Sequence, residues 1–495
     1  MPQTLWLKVH KPETAVLDPG VQTRFAAGTE VGRLAQDLFG PSVDVTVRRA
    51  DGGLDLAAML ARTKECLSSG VEVICEASFA ADGFFCSADI LRREKGGFGL
   101  YEVKSFSYSP SSPQKDQEKK RDSYVQDIAC QKWLLERCGI PVAGANLVCL
   151  NADYVREGSL DVQKLFTIIP MDEAIAAEYA AVPERAAEAR RVLALRDEPE
   201  MALSERCHAY PCAFWQYCTR DLPQPNVFDL YRMDFADKIC AWQEGVVSFE
   251  DALDRLRLTP VQRMQAECAL HGGERIDREG IARFLGGLSY PLYFLDFETM
   301  QPAVPLFERT KPYQQIPFQY SLHIAEREGA GLQHREFLGE SGTDPRRPLA
   351  ESLCRDIPQD ACVLAYNKDF ECRMLKELAG ACPDLAEHLM DIRANIRDLL
   401  EPFQKGLYYL PAMGSSFSIK SVLPALFPND KELDYHGLDE LVQNGGQAME
   451  IFPRIQGMGA EEARRVREAL LAYCRLDTLA MVKVWEKLKQ ACGMA

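Results

Sequence analysis

Asp296 and Glu298 stand two positions apart in LYFLDFETM, a run whose Leu292, Tyr293, Phe294 and Leu295 are suited to burial. On a strand, side chains two apart share a face, so the two carboxylates point the same way and repel unless a positive charge lies between them. A divalent cation is the usual partner, although paired acids also occur on solvated strand faces. In VLAYNKDFECRMLKEL an apolar strand runs out at Asn367 and a helix carrying Asp369 and Glu371 begins. Strand ends of this kind are where α/β proteins build their sites. In EEARRVREALLAYCRLDTLAMVKVWEKL, a long amphipathic helix, Tyr473 and Asp477 share a face next to Leu470, Leu476 and Ala480. An acid there needs a partner. Carboxylates around two cations roughly 4 Å apart suit phosphodiester hydrolysis, because hard cations clamp the attacking and leaving oxygens and acidify water. Tyr473, with an ordinary pKa of about 10, is a poor base at neutral pH; by itself it reads at least as well as a helix aromatic packed against the sheet as a group that orients a metal-bound water.

Three further constellations carry chemistry. FFCSADILRREKGGFGLYEVKSFSYS reads as a β-hairpin turning at REKGGFG. Glu102 and Lys104 share a face of its second strand, and Asp89 can lie opposite; such a set binds metal and stabilises charge on a phosphate oxygen, or else forms a cross-strand ion pair. RCHAYPCAFWQYC gathers Cys207, Cys212 and Cys218 where even spacing would put about half a cysteine. Thiolates so spaced suit an iron–sulfur cluster or zinc, shielded by Phe214, Trp215 and Tyr217; buried structural thiols are the alternative. In AMGSSFSIKSVLP, Ser415, Ser416 and Ser418 precede Lys420 at a helix start, which can hold a phosphate or simply cap a turn. Asp391 and Asp398 fall in a helical stretch and read as solvated acids.

These residues need a scaffold of some size. At 495 residues the chain is long enough for two or three domains, and 47% hydrophobic with 26% charged residues is ordinary for a globular protein. The net charge of -16 argues against a generally basic nucleic-acid binder but leaves room for an enzyme whose acids collect metals. Seventeen cysteines without a secretion signal point to thiols or ligands rather than disulfides. With no apolar run long enough to span a bilayer, a cytoplasmic protein without membrane association is expected. Strands and helices alternate up to about residue 222; TRDLPQPNVFD reads as a linker; 230–288 is helical, with Ser248 an N-cap. SPSSPQKDQEKKRD reads as a polar, mobile loop. From Tyr290 three strands precede alternating helix and strand, which predicts a mixed sheet.

Taken in chain order, FLDFET, YNKDFE and YCRLD resemble the three motifs of DnaQ-like, ribonuclease H-fold exonucleases of the subclass ending Tyr-x-x-x-Asp. The resemblance implies a DEDDy site in which Asp296, Glu298, Glu371 and Asp477 bind two Mg²⁺ or Mn²⁺ ions beside Tyr473. That family's second motif ends Phe-Asp; here Phe370 is followed by Glu371, with Asp369 as the alternative. ADIL and YEVKS resemble a PD-(D/E)XK core, with Asp89, Glu102 and Lys104 at the matching positions. VQDIACQKWLLE supplies Gln131 where the RecB-like branch has Gln-x-x-x-Tyr, with Leu135 in place of the tyrosine. AGTEVGRLA resembles that branch's Gly-x-x-Val-His, with Gly32 at the histidine and Glu30 or Glu76 as substitutes.

RecB-like nucleases with a cluster place three cysteines after the nuclease core and one before it. This implies an iron–sulfur cluster of the four-iron type on Cys207, Cys212 and Cys218, with zinc as the alternative. MPQTLWLKVHKPE is similar to their Cys-Pro-x-x-Leu-Trp-Leu segment, with Met1 at the cysteine, so a start site set too late is expected. The whole chain resembles an uncharacterised bacterial domain-of-unknown-function family joining both modules. The expected architecture is therefore α/β: a restriction-endonuclease-like PD-(D/E)XK module over 1–222, a helical connector over 223–288 and a ribonuclease H-like module over 289–495. The expected activity is a metal-dependent exonuclease acting on nucleic acid, single-stranded DNA being favoured over RNA. The alternative is a nucleic-acid-binding adaptor or iron–sulfur protein with one or both sites degenerate.

Overall fold

The computed structural model describes residues 2–16, 21–112, 114–200, 202–209 and 212–494; Met1, where the fourth cysteine is expected, lies outside them. The chain is a mixed α/β protein that divides into two compact units, Met1–Met201 with Pro302–Gln314, and Ala202–Gln301 with Gln315–Ala495. Among the described residues no helix is long and apolar enough to cross a membrane.

The first unit is built on a six-stranded sheet of β1 (Val43–Asp44), β2 (Val73–Ala81), β3 (Phe84–Glu94), β4 (Gly97–Tyr108), β5 (Val142–Asn151) and β6 (Phe166–Pro170), in that spatial order. β2, β3 and β4 form an antiparallel meander, while β1 and β5 join it in parallel. The β3–β4 turn depends on glycine: Gly97 has φ 155°, and a Cβ there would come 2.3 Å from the Pro141 carbonyl oxygen. The parallel step from β4 to β5 requires a crossover, which the helix Val125–Arg137 provides by burying Ile128, Ala129, Gln131, Leu134 and Leu135 at helical spacing. Lys115–Asp122, whose polarity predicts a loop, is helical. Gln114 and Gln117 close a capping box, and acids in the first turn with bases in the last complement the helix dipole, which offsets the lack of a buried face.

In the second unit the short helices Arg206–Ala209 and Trp215–Cys218 are followed by helices Phe235–Gln243, Phe249–Arg255, Pro260–His271 and Arg278–Leu285; Ser248 caps Phe249–Arg255, its Oγ accepting from the Asp251 N–H at 3.0 Å. A short strand β7 (Arg275–Ile276) precedes a five-stranded sheet of β8 (Leu292–Met300), β9 (Ile316–Ala325), β10 (Gln333–Leu338), β11 (Cys362–Ala365) and β12 (Ile396–Asp398). β7 pairs with β13 (Tyr408–Tyr409). The spatial order of the large sheet is β10-β9-β8-β11-β12, with β8 to β10 antiparallel and β11 and β12 parallel to β8. Both faces of the central β8 are covered, which is why its sequence is almost continuously apolar. Leu292 and Phe294 pack with Leu476, Ala480 and Trp485 of the helix Ala460–Cys492. Tyr293, Leu295 and Phe297 pack with Leu349, Leu353, Met374 and Leu378 of the helices Arg346–Asp356 and Asp369–Ala381.

Buried polar pegs fix the register of the C-terminal helix on β9. Gln319 Nε2 donates to the Leu470 carbonyl at 2.8 Å, and Thr478 Oγ1 lies 2.7 Å from Ser321 Oγ and 2.8 Å from His323 Nδ1. Burial holds His323 and its neighbour His334 neutral, with pKa values lowered to about 4. Because Thr478 adjoins Asp477, its pegs also aim that acid. Thr478→Val should leave buried polar groups without partners and lower the stability of the second unit by about 1–3 kcal/mol, measured by denaturant unfolding.

Candidate metal centre

Asp296 and Glu298 extend the face of β8 that carries Leu292 and Phe294, so the alternation that turns those residues toward the C-terminal helix turns the acids the same way. The parallel neighbour β11 pairs with β8 only from Cys362↔Leu292 to Leu364↔Phe294, which leaves the acid-bearing end of β8 free on that side. That free end falls at the carboxyl ends of the parallel strands, where α/β sheets usually bind ligands. On the helix Ala460–Cys492, Tyr473, Cys474 and Asp477 are buried. Ligand atoms of Asp296, Glu298 and Cys474 lie within 4.8 Å of one another, the one group of this kind among the described residues. Cys474 Sγ is 3.6 Å from Asp296 Oδ2.

Glu371 belongs to the inward stripe of its helix with Met374, Leu375 and Leu378, whereas Asp369 is exposed. Its carboxylate is close enough to Asp296 and Glu298 to raise the pKa of both. Glu371 Oε2 is buried without a hydrogen-bond partner. Asp296, Glu298, Glu371 and Asp477 thus share one electrostatic environment. Burial is the main cause of the upward shifts; for Asp296 and Glu298, repulsion from Asp477 is next. Burial also raises Glu371 to about 8 and Asp477 to about 6, the latter held down by a hydrogen bond from Tyr435 and by the nearby charge of Lys420. Tyr435 donates to Asp477 Oδ1 at 2.5 Å, and its ring centroid is 6.0 Å from that of Tyr473. Lys420 Nζ lies 5.3 Å and 5.4 Å from the two ring centroids. Lys420 offsets Glu298 and Asp477 and Arg373 offsets Glu371, which leaves the four carboxylates in excess, and a donor set mostly of hard oxygens, with one left without a partner, fits divalent cations. Burial and the adjoining acids push the Tyr473 phenol well above its ordinary range, so it can orient or donate but not act as a base.

Sequence reasoning missed Tyr435, which sits among short helical turns with no periodic signal. Cys474 was also passed over, although it lies three residues before Asp477 on the same helical face and could have been found there. Lys420 approaches the acids, while the serines before it are engaged with one another: the Ser418 N–H donates to Ser416 Oγ at 3.2 Å, and Ser418 Oγ lies 3.0 Å from Ser421 Oγ. Asp398 ends a strand rather than sitting in a helix, and its carboxylate accepts N–H groups of Asn367 and Leu400 at 2.9 and 3.0 Å. This bracing holds the turn that leads into Glu371.

In the first unit the β3–β4 ladder stops at Ile90↔Tyr101, and Asp89 Oδ2 instead accepts the Val103 N–H at 2.6 Å. Glu102 is 4% exposed; its Oε1 meets Lys104 Nζ at 2.5 Å and its Oε2 accepts from Gln131 Nε2 at 2.7 Å. Lys104 Nζ also reaches Asp127 Oδ2 at 2.9 Å. Burial raises Asp89 to about 6 and Glu102 to about 8. Glu76 interrupts β2 at φ 57° and is close enough to Asp89 and Glu102 to repel both, whereas Glu30 is exposed. Gly32 and Leu135 lie in the two helices at this end of the sheet. Lys104 thus makes direct ion pairs with Glu102 and Asp127, whereas in the second unit Lys420 lies over two tyrosine rings. The cysteine segment belongs to the second unit, where Cys207 and Cys218 pack with Leu203, Trp215 and Ile239, and the Trp215 N–H donates to the Cys212 carbonyl at 2.8 Å.

For Asp477 and Glu371 the folded pKa lies above the unfolded one, so the unfolded chain loses these protons first as the pH rises. In cation-free protein their stabilising contribution is complete below about pH 4 and is lost progressively up to about pH 8. With a chelator present, Asp477→Asn should therefore melt above the wild type at about pH 8, with the gain vanishing near about pH 4. Adding Mn²⁺ should raise the wild-type Tm and leave Asp296→Asn unmoved, by differential scanning calorimetry.

No curated protein and no solved structure matches the chain. Residues 293–418 match the family described as "Domain of unknown function (DUF2779)", a span that holds Asp296, Glu298 and Glu371 and ends before Tyr435, Tyr473 and Asp477.

Proposed function

We propose that the second unit is a metal-dependent nuclease that hydrolyses phosphodiester bonds from the ends of single-stranded DNA at a DEDDy-type site. The observation that carries this reading is the approach of the Asp296 and Glu298 carboxylates to within 4.8 Å of one another on β8, with Asp477 and Glu371 close enough to raise the pKa of both. The sheet order β10-β9-β8-β11-β12, three antiparallel strands followed by two parallel ones, is in keeping with a ribonuclease H-like module. Divalent cations, when bound, supply Lewis acidity toward the phosphate and lower the pKa of water. Asp296, Glu298, Glu371 and Asp477 would hold them. Tyr473 orients the attacking water through its hydroxyl, and Tyr435 fixes the rotamer of Asp477. Lys420, exposed at the rim, attracts the phosphate backbone.

The first unit invites a second reading. Its meander with Asp89, Glu102, Lys104 and Gln131 is in keeping with a PD-(D/E)XK core, yet Lys104 pairs with Glu102 and no three ligand atoms there come within 4.8 Å among the described residues. We infer a nucleic-acid-binding scaffold whose own site is weak or degenerate. The cysteine segment would brace this chain with an iron–sulfur cluster or zinc; three thiols are one donor short of a closed tetrahedral set.

End-labelled single- and double-stranded DNA and RNA, incubated with Mg²⁺ or Mn²⁺, test both readings. Asp296→Asn should reduce cleavage by at least about 100-fold, more than loss of an outer-shell partner usually costs, while Asp89→Asn should leave most of it. Equal cleavage by Asp296→Asn and wild type would remove the second unit from the reaction.

A further inference from the structure

Cys474 lies inside the candidate centre rather than behind it. It is 0% exposed, on the helical turn between Tyr473 and Asp477, with its sulfur 3.6 Å from Asp296 Oδ2 and within 4.8 Å of a Glu298 oxygen. A tetrahedral ion bound to sulfur at about 2.3 Å and oxygen at about 2.0 Å spaces those two donors about 3.5 Å apart. The existing separation already matches that edge. Glu371 Oε2, buried and without a partner, supplies an independent sign that the hollow accepts a cation.

Resting on the reading of this hollow as a cation-binding nuclease centre, we propose that Cys474 makes it selective for a thiophilic divalent cation of the zinc class, held by Cys474 Sγ with the carboxylates of Asp296 and Glu298. Hard Mg²⁺ takes oxygen ligands and gains nothing from the sulfur. A borderline cation gains a thiolate bond, the thiol proton leaving for solvent, and Zn²⁺ therefore competes with Mg²⁺ for the hollow and regulates the centre through metal supply.

Co²⁺ titration of the full chain tests this, with Zn²⁺ competition as the affinity measure. The wild type should develop a thiolate-to-cobalt charge-transfer band of which one component is removed by Cys474→Ser, by Cys474→Ala and by Asp296→Asn alike. Bands from other thiols persist in all three. Competing Zn²⁺ should bind about 10- to 100-fold more weakly in Cys474→Ser. A cadmium NMR signal of mixed sulfur and oxygen coordination, lost on Asp296→Asn, gives the same answer without altering the cysteine. A charge-transfer spectrum and Zn²⁺ affinity identical in wild type and Cys474→Ser would overturn the proposal, even if Mg²⁺-dependent cleavage stands. Loss of the band with no cleavage by the wild type under any metal would instead overturn the nuclease reading and leave the thiophilic site in place.

Discussion

Negative charge brought together out of water is the constraint around which the second unit is arranged. Desolvating one carboxylate costs several kcal/mol, and a second beside it adds repulsion that low-dielectric surroundings do little to screen. Asp296, Glu298, Glu371 and Asp477 are held in that condition by elements from three regions of the chain, with hydrogen bonds from Tyr435 to Asp477 and from Cys474 to Asp296 as partial relief. A fold built only for stability would replace such groups with apolar side chains. Titratable groups held at such a cost are characteristic of binding and catalytic sites.

The architecture holds the acids in place by tying each to a strongly packed element. Asp296 and Glu298 ride on the central strand, fixed on both faces by apolar clusters. Asp477 rides on a helix of 33 residues whose register on β9 is set by the polar pegs at Gln319, Ser321 and His323. Glu371 follows a turn braced by Asp398, which accepts the N–H of Asn367. Repulsion cannot spread the four groups without breaking these contacts.

The two units treat similar chemistry in opposite ways. In the first, Lys104 bridges Glu102 and Asp127, Gln131 donates to Glu102, and the Val103 amide donates to Asp89, so part of the charge is offset by direct contacts, although Glu76, Asp89 and Glu102 still repel one another. In the second, Lys420 lies above two tyrosine rings and is close enough to lower the pKa of Glu298 and Asp477, but among the described residues it forms no direct ion pair with them. This contrast in internal neutralisation, more than any difference in the number of acids, separates the two candidate sites.

Local pattern determined a good deal on its own. The alternation within LYFLDFETM put Asp296 and Glu298 on one face, the four-residue spacing put Tyr473 and Asp477 on another, and the turn chemistry of REKGGFG marked the β3–β4 hairpin. These are properties of neighbours along the chain, which strand and helix periods fix. Lys115–Asp122 misled because helix capping and end charges can sustain a short helix that has no apolar stripe. Only the tertiary structure decided which acid of the second motif turns inward, that Tyr435 reaches Asp477, that Cys474 faces Asp296 and that Lys104 reaches Asp127. Each of those outcomes depends on packing between residues tens or hundreds of positions apart, and no spacing rule within a segment carries that information.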